Sequence, residues 1–310
     1  MRQMESVDTA LLEQRLLRLR DVALARPQLA VEDLCLLIVA LRRHTGAGHR
    51  QALERLLSLQ NRDGSWPCFS SEREGCWVTA LAVTTFLADA SALSSLPIAI
   101  AWLTRVRGRE AGWFWQWKFR TIDTSVPFDP SAFGWSWVAG TTSWVIPTAF
   151  ALIALRQAAA LNRIDRAAIR ERVETGARML FDRACPGGGW NAGNSVGFGV
   201  PYAAYPDATA IALIALNGYE QHPCVGAALS WLLRKISDCG SPYSLAWAIL
   251  ALTSYRHGRA DVQNSIEASS RRLIALLQTN VTGFDGSTLA VSLIALEAIG
   301  NGRHVFEVPA

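Results

Sequence analysis

Lysine is nearly absent from this sequence. Lys118 and Lys235 are its only two, so arginine carries almost all of the positive charge behind a formal net charge of +4. No basic run of the kind that tracks a phosphate backbone is present, which sets nucleic-acid binding aside. The six cysteines (35, 68, 76, 185, 224 and 239) form no CxxC pair and have no histidines at zinc-finger spacing. They read as small buried hydrophobes of a reducing compartment. No apolar run reaches the length of a membrane span, and the charged amphipathic start MRQMESVDTALLEQRLLRLR lacks the apolar core of a signal peptide. These absences lead to the expectation of a soluble, cytoplasmic protein, with membrane contact at most peripheral. Only 18% of the 310 residues are charged and half are hydrophobic, enough for a large core. No linker or composition break divides the chain, so a single domain over 1–310 is expected.

What is present is a repeat. An apolar segment ending in Ala-Leu, or a close variant, recurs at 31–41, 77–87, 144–155, 206–216, 243–252 and 287–296. These six segments are apolar nearly all round, the mark of a helix covered on every side. Stretches with one apolar stripe and one charged face lie before or between them, at 9–25, 48–60, 94–107, 164–184, 224–236 and 263–278. Six buried helices alternating with six half-exposed ones predict an all-α fold, an α/α toroid built as a six-hairpin barrel with inner and outer rings.

Two long connections interrupt the repeat. Residues 108–144 hold Trp113, Trp115, Trp117, Trp135, Trp137 and Trp144, half of the chain's tryptophans. Residues 186–205 are glycine-rich and carry Trp190, Phe198, Tyr202 and Tyr205. Both lie between an outer and the next inner helix, and all such connections emerge on one rim. The insertions should therefore meet over one mouth of the barrel, a common place for a binding face. Their aromatics can serve as a pocket lining or as a packed lid.

The stretch QNRDGSW holds Gln60, Gly64 and Trp66 in the Gln-x-x-x-Gly-x-Trp spacing of the QW repeat. CPGGGWNAG (185–193) resembles a copy without the Gln, and GREAGWFW (108–115) a weaker one. The chain thereby resembles the squalene-hopene and oxidosqualene cyclases and, more distantly, protein prenyltransferase β subunits. That resemblance implies the same barrel, and an isoprenoid substrate cyclised or isomerised by protonation. It places the catalytic acid at the mouth of an inner helix, in YPDATA, where Asp207 matches the central acid of the cyclase motif. Such a role needs a neutral carboxyl in a dry cavity, with aromatic faces to stabilise a cation. The tryptophans named above, with Trp190, Tyr202 and Tyr205, are the candidate lining. Ala208 stands where those cyclases have a second acid or Cys.

Other readings stand beside this one. Asp207 suits an N-cap. The other inner-helix entries hold Glu32, Val78, Ile146, Tyr243 and Ser287, so an acid is not a general requirement there. Asp123 and Asp129 form an acid pair in the first insertion or serve as turn residues. They would hold Mg2+ only with a diphosphate substrate; no other cofactor is expected. Asp33-Leu34-Cys35 matches the prenyltransferase zinc tripeptide literally but lies in the first inner helix, so no metal is expected. A lone barrel would need its insertions, a second barrel or another copy to close its mouth. Two further functions remain: a non-catalytic scaffold for a lipid or protein, and a carbohydrate-active α/α barrel with tryptophans stacked on sugars and a working pair of carboxylates.

Overall fold

The computed structural model describes residues 2–91, 93–125, 127–160, 166–280 and 282–309. Thirteen α-helices occur among them. Six form the inner ring: α2 (Val31–Ala40), α4 (Val78–Asp89), α7 (Val145–Ala159), α9 (Pro206–Ala215), α11 (Pro242–Ser254) and α13 (Gly286–Asn301). Six form the outer ring: α1 (Arg2–Ala25), α3 (Ala47–Ser58), α5 (Leu96–Arg105), α8 (Arg166–Asp182), α10 (Pro223–Ile236) and α12 (Ala260–Asn280). Each inner helix packs on the next in that order and α13 packs on α2, so the ring closes. The toroid expected from the repeat is thus the fold observed. Each expected helix has its counterpart, although 164 and 165 of the fourth outer segment lie outside the described residues.

Composition explains the two rings. Every residue of α11 from Ser244 to Thr253 is buried, and α9 is buried from Ala208 onward. Small alanines let these helices approach closely. Three hydroxyls in the ring bond back to the preceding turn, Thr85 to Leu81 O, Thr253 to Ile249 O and Ser292 to Thr288 O, so these three need no outside partner. Outer helices such as α10 bury one stripe (Val225, Ala228, Leu229, Leu232) and leave the other face in water.

A three-part staple ties outer to inner helices. The Trp66 indole N–H donates to Leu56 O at the end of α3 (2.8 Å), and its backbone N–H to the Thr79 hydroxyl in α4 (2.9 Å). Trp190 repeats this with Leu180 O and Thr209, and Trp135 with Leu103 O and Thr148. The Gly-x-Trp spacing is therefore a packing device. Gly64 has φ +93°, and a Cβ there would stand 2.5 Å from the Ile98 carbonyl, so only glycine fits. Gln60 completes the turn by donating to Gly64 O and Ser95 O. The third copy lies at Gly134-Trp135 and not in GREAGWFW, where Trp113 is 82% exposed.

The barrel axis is filled. Phe150 of α7, Trp247 of α11 and Phe306 are buried and mutually in contact, with Trp247 and Phe306 ring centroids 5.0 Å apart. Phe306 comes from the segment 303–309, which enters from the rim opposite the insertions. Gln157 holds it through the carbonyls of Val305 and Glu307, and Ser254 pairs with His304 at 3.0 Å. Burial pushes His304 down to about 4, so it sits neutral in this plug. No described helix is long and apolar enough to cross a membrane.

Candidate functional site

The two insertions do meet over the rim formed by the inner-helix N-termini. The first contains α6 (Trp113–Thr121); the second contains a hairpin of β1 (Val196–Gly197) and β2 (Val200–Pro201). Its turn residues Phe198 and Gly199 both have positive φ, as a tight two-residue hairpin needs. The Phe198 N–H donates to Ser125 O, pinning one insertion to the other, and the Val145 N–H at the start of α7 donates to Ala192 O of the second.

Between them lies a cavity of about 400 Å³ lined by Trp115, Phe119, Phe128 and Trp144, with Arg109, Asp123, Arg183 and Asn194 among its polar groups. Trp115, Trp144 and Asp123 are thus the candidate residues brought together. The Arg109 guanidinium and the Lys118 ammonium each lie 5.0 Å from the Trp115 ring centre, and Lys118 also pairs with Asp123 at 3.2 Å. The other candidates go elsewhere. Trp135 and Trp190 are buried staples with their indole N–H groups already bonded, so they line no pocket. Trp113 and Trp117 face solvent on α6. Trp137 packs edge-on to Trp77 at the mouth. Tyr202 lines a separate cleft beside Trp231, and Tyr205 is exposed at the start of α9. Asp129 accepts from the Ser131 N–H and hydroxyl and pairs with Arg120, closing a turn.

Asp207 lies in the first turn of α9, half-buried and not in the capping position, which Tyr205 occupies without a side-chain bond. Its charge suits the positive end of the helix. It does not line the cavity between the insertions, and the axis below it is filled by Phe150, Trp247 and Phe306. A dry chamber for a greasy chain, as a proton-initiated cyclisation needs, is not what this ring encloses.

The mouth itself is divided in chemistry. On the α4–α7 side stand Trp77, Trp137 and Trp144. On the side running from α9 through α11 and α13 to α2 stand Asp207, Tyr243, Asp285, Glu32 and Asp33. Burial, with Asp33 and Asp285 close by, pushes the Glu32 carboxyl up to about 7 despite its place at a helix N-terminus. Asp33 is raised as well, by burial and by Asp285. Asp285 goes the other way. Burial alone would raise it, but the Thr288 N–H (2.7 Å), the Thr288 hydroxyl and the Ser287 hydroxyl (3.0 Å) hold its carboxyl below the usual range. Burial, then the charge of Glu32 and lesser effects of Asp207 and Asp285, push the Tyr243 phenol up. The fully buried Trp247 Nε1 has no bond of normal geometry, though its N–H lies near the Tyr243 oxygen.

Sequence reasoning ranked Glu32 behind Asp207 and passed over Asp285. Position at an inner-helix entry flagged Glu32 and Tyr243, but nothing local marks the pairing of Glu32 with Asp285, which ring closure creates. No group of three or more His, Cys, Asp or Glu among the described residues is arranged to hold a metal ion.

No protein-family model and no curated protein matches the chain. Among solved structures, a GH76A alpha-1,6-mannanase from Salegentibacter sp. HEL1_6 matches with a TM-score of 0.59 at 10% identity, over 95% of this chain and all of that one. The resemblance to triterpene cyclases and prenyltransferases is therefore corrected. Its QW-like spacing is a helix staple that this toroid uses for packing, its filled axis leaves no cyclisation chamber, and the matched enzyme acts on a mannan. The same match at this identity establishes the architecture, a six-hairpin α/α barrel of the kind that mannanase has.

Proposed function

We propose that this protein is a carbohydrate-active α/α barrel that cleaves a glycosidic bond at the mouth formed by the inner-helix N-termini. The observation that carries the reading is the opposed protonation of Glu32 and Asp285. Two carboxyls whose surroundings push them apart supply an acid and a base at one pH. In this reading Glu32, protonated up to about neutral pH, donates to a leaving-group oxygen. Asp285, held as an anion by Thr288 and Ser287, activates water or stabilises positive charge at the sugar carbon. The aromatic side of the mouth, with Trp137 and Trp144 beside the buried Trp77, offers apolar faces for sugar rings. The structural neighbour, an alpha-1,6-mannanase, supports the same substrate class and brings α-mannan into the test.

Reducing-end release from a panel of neutral and acidic polysaccharides, α-1,6-mannan included, tests this. The wild-type protein is expected to cleave at least one member. Glu32→Gln and Asp285→Asn should each lose about 100-fold or more in kcat, with unchanged circular dichroism, since Asn still caps a helix. Full activity in both variants would sink the acid–base assignment. Binding without turnover by the wild type would favour a non-catalytic carbohydrate receptor.

A further inference from the structure

The cavity between the insertions contains a buried cation whose pairing among the described residues is incomplete. Arg183 follows the last residue of α8 and is 3% exposed. Its Nε is buried with no hydrogen-bond partner among the described residues. Its one ion pair among the described residues is a 3.4 Å contact from that Nε to Asp182, whose two oxygens already accept from the Asp129 N–H. The guanidinium lies flat-on to Phe128, with Cζ 4.0 Å from the ring centre, and lines the cavity. Burial holds it below the usual arginine range in spite of Asp182, Glu110 and Asp129 nearby. Leaving a buried cation short of hydrogen bonds is costly, and the two outer nitrogens of a planar guanidinium beside an open cavity are suited to a bidentate anion.

The rest of the cavity narrows the ligand. Arg109 is exposed at its edge, with Nε donating to Gly140 O and its charge over Trp115. The one carboxylate lining it, Asp123, is paired with Lys118, so the polar lining presents net positive charge. Trp115 and Trp144 give the walls the flat faces that a pyranose ring can lie against. The volume falls in the range of small-ligand pockets.

We infer that this cavity is a subsite for an anionic sugar unit, its ring against Trp115 and Trp144 and its charged group on Arg183, with Arg109 at the entrance. The inference rests on the carbohydrate reading above but not on the chemistry of Glu32. A uronate carboxylate, a sulfate ester and a phosphate ester share the required charge and planar or tetrahedral oxygens.

Tryptophan-fluorescence and calorimetric titrations of the full chain test it. The probes are glucuronate, galacturonate, glucose 6-sulfate and glucose 6-phosphate, against glucose and mannose, none of which has an internal glycosidic bond to cleave. At least one charged sugar should bind about tenfold or more tightly than the neutral ones, and the best one identifies the group. The preference should shrink in about 0.5 M NaCl. It should vanish in Arg183→Gln, survive in part in Arg183→Lys, and weaken in Arg109→Gln. If Arg183→Gln fails to fold, the exposed Arg109 variant and the salt titration carry the decision. Equal affinity for charged and neutral sugars overturns the inference, as does an unaltered preference in the arginine variants. So does competition by acetate or inorganic phosphate alone as strong as by the charged sugars. Charged-sugar binding without polysaccharide cleavage leaves the subsite standing and removes the hydrolase. Cleavage of neutral polymers without charged-sugar preference does the reverse.

Discussion

Glu32 shows how one side chain can be set against the stability of its own fold. Burial lifts its carboxyl from the ordinary value of 4.5 to about 7 in the folded protein, so the folded state holds a proton there that the unfolded chain releases. Stability is therefore lost as pH rises from about 4.5 through about 7, and the penalty is fully present above that. Glu32→Gln removes the charge and keeps the shape. It should raise the stability at about pH 8 by about 1–3 kcal/mol and change little at about pH 4. Urea melts at the two pH values check this. A gain in stability together with the loss of activity expected above is the pattern of a group kept for chemistry. A carboxyl retained for packing alone would show a loss of stability at both pH values.

Among the elements, the outer-helix, tryptophan and inner-helix threonine staple sets how the hairpins join. Thr209 is fully buried and takes part twice, accepting from the Trp190 N–H and donating to Trp190 O. Thr209→Val keeps the volume and removes both bonds, leaving a buried backbone N–H without a partner. The expected cost is about 1–3 kcal/mol, read as a lower urea midpoint with an unchanged slope. Thr148→Val should behave alike through Trp135. A change within error at both positions would mean that the indole bonds alone hold the hairpins. The sequence signal for this element was the Gly-x-Trp of 64–66 and 188–190, which the third staple at Trp135 lacks. Its spacing was legible, and its purpose was not, because the spacing alone does not say which carbonyl the indole finds. Helix α6 was passed over for a similar reason. Its run WFWQWKF buries no residue, so it lacks the apolar stripe by which the other outer helices are recognised.

For the whole molecule, closure of the ring and filling of its axis decide where function can sit. The plug from 303–309 places Phe306 against Phe150 and Trp247, which blocks the axis from one end and leaves the opposite rim as the working face. Phe306→Ala should cost about 3–5 kcal/mol in urea melts and leave an apolar void in the middle of the barrel. A loss below about 1 kcal/mol would show that the segment rests on the barrel without filling it. Rim activity should survive this variant at temperatures where it stays folded, since the acids and the cavity between the insertions lie at the other end.

The sequence by itself determined the helices, their two kinds and their alternation, because burial on all sides or on one side is written in local apolar periodicity. It also placed both insertions on one rim, since connections of the same sense in a closed ring must emerge together. Only the tertiary structure decided which acids share a field, which tryptophans are staples and which line a cavity. Glu32 and Asp285 lie near opposite ends of the chain and meet because α13 packs on α2. The state of Arg183 depends on the partners it fails to find. Burial and electrostatic pairing are sums over neighbours in space, and no stretch of sequence contains them.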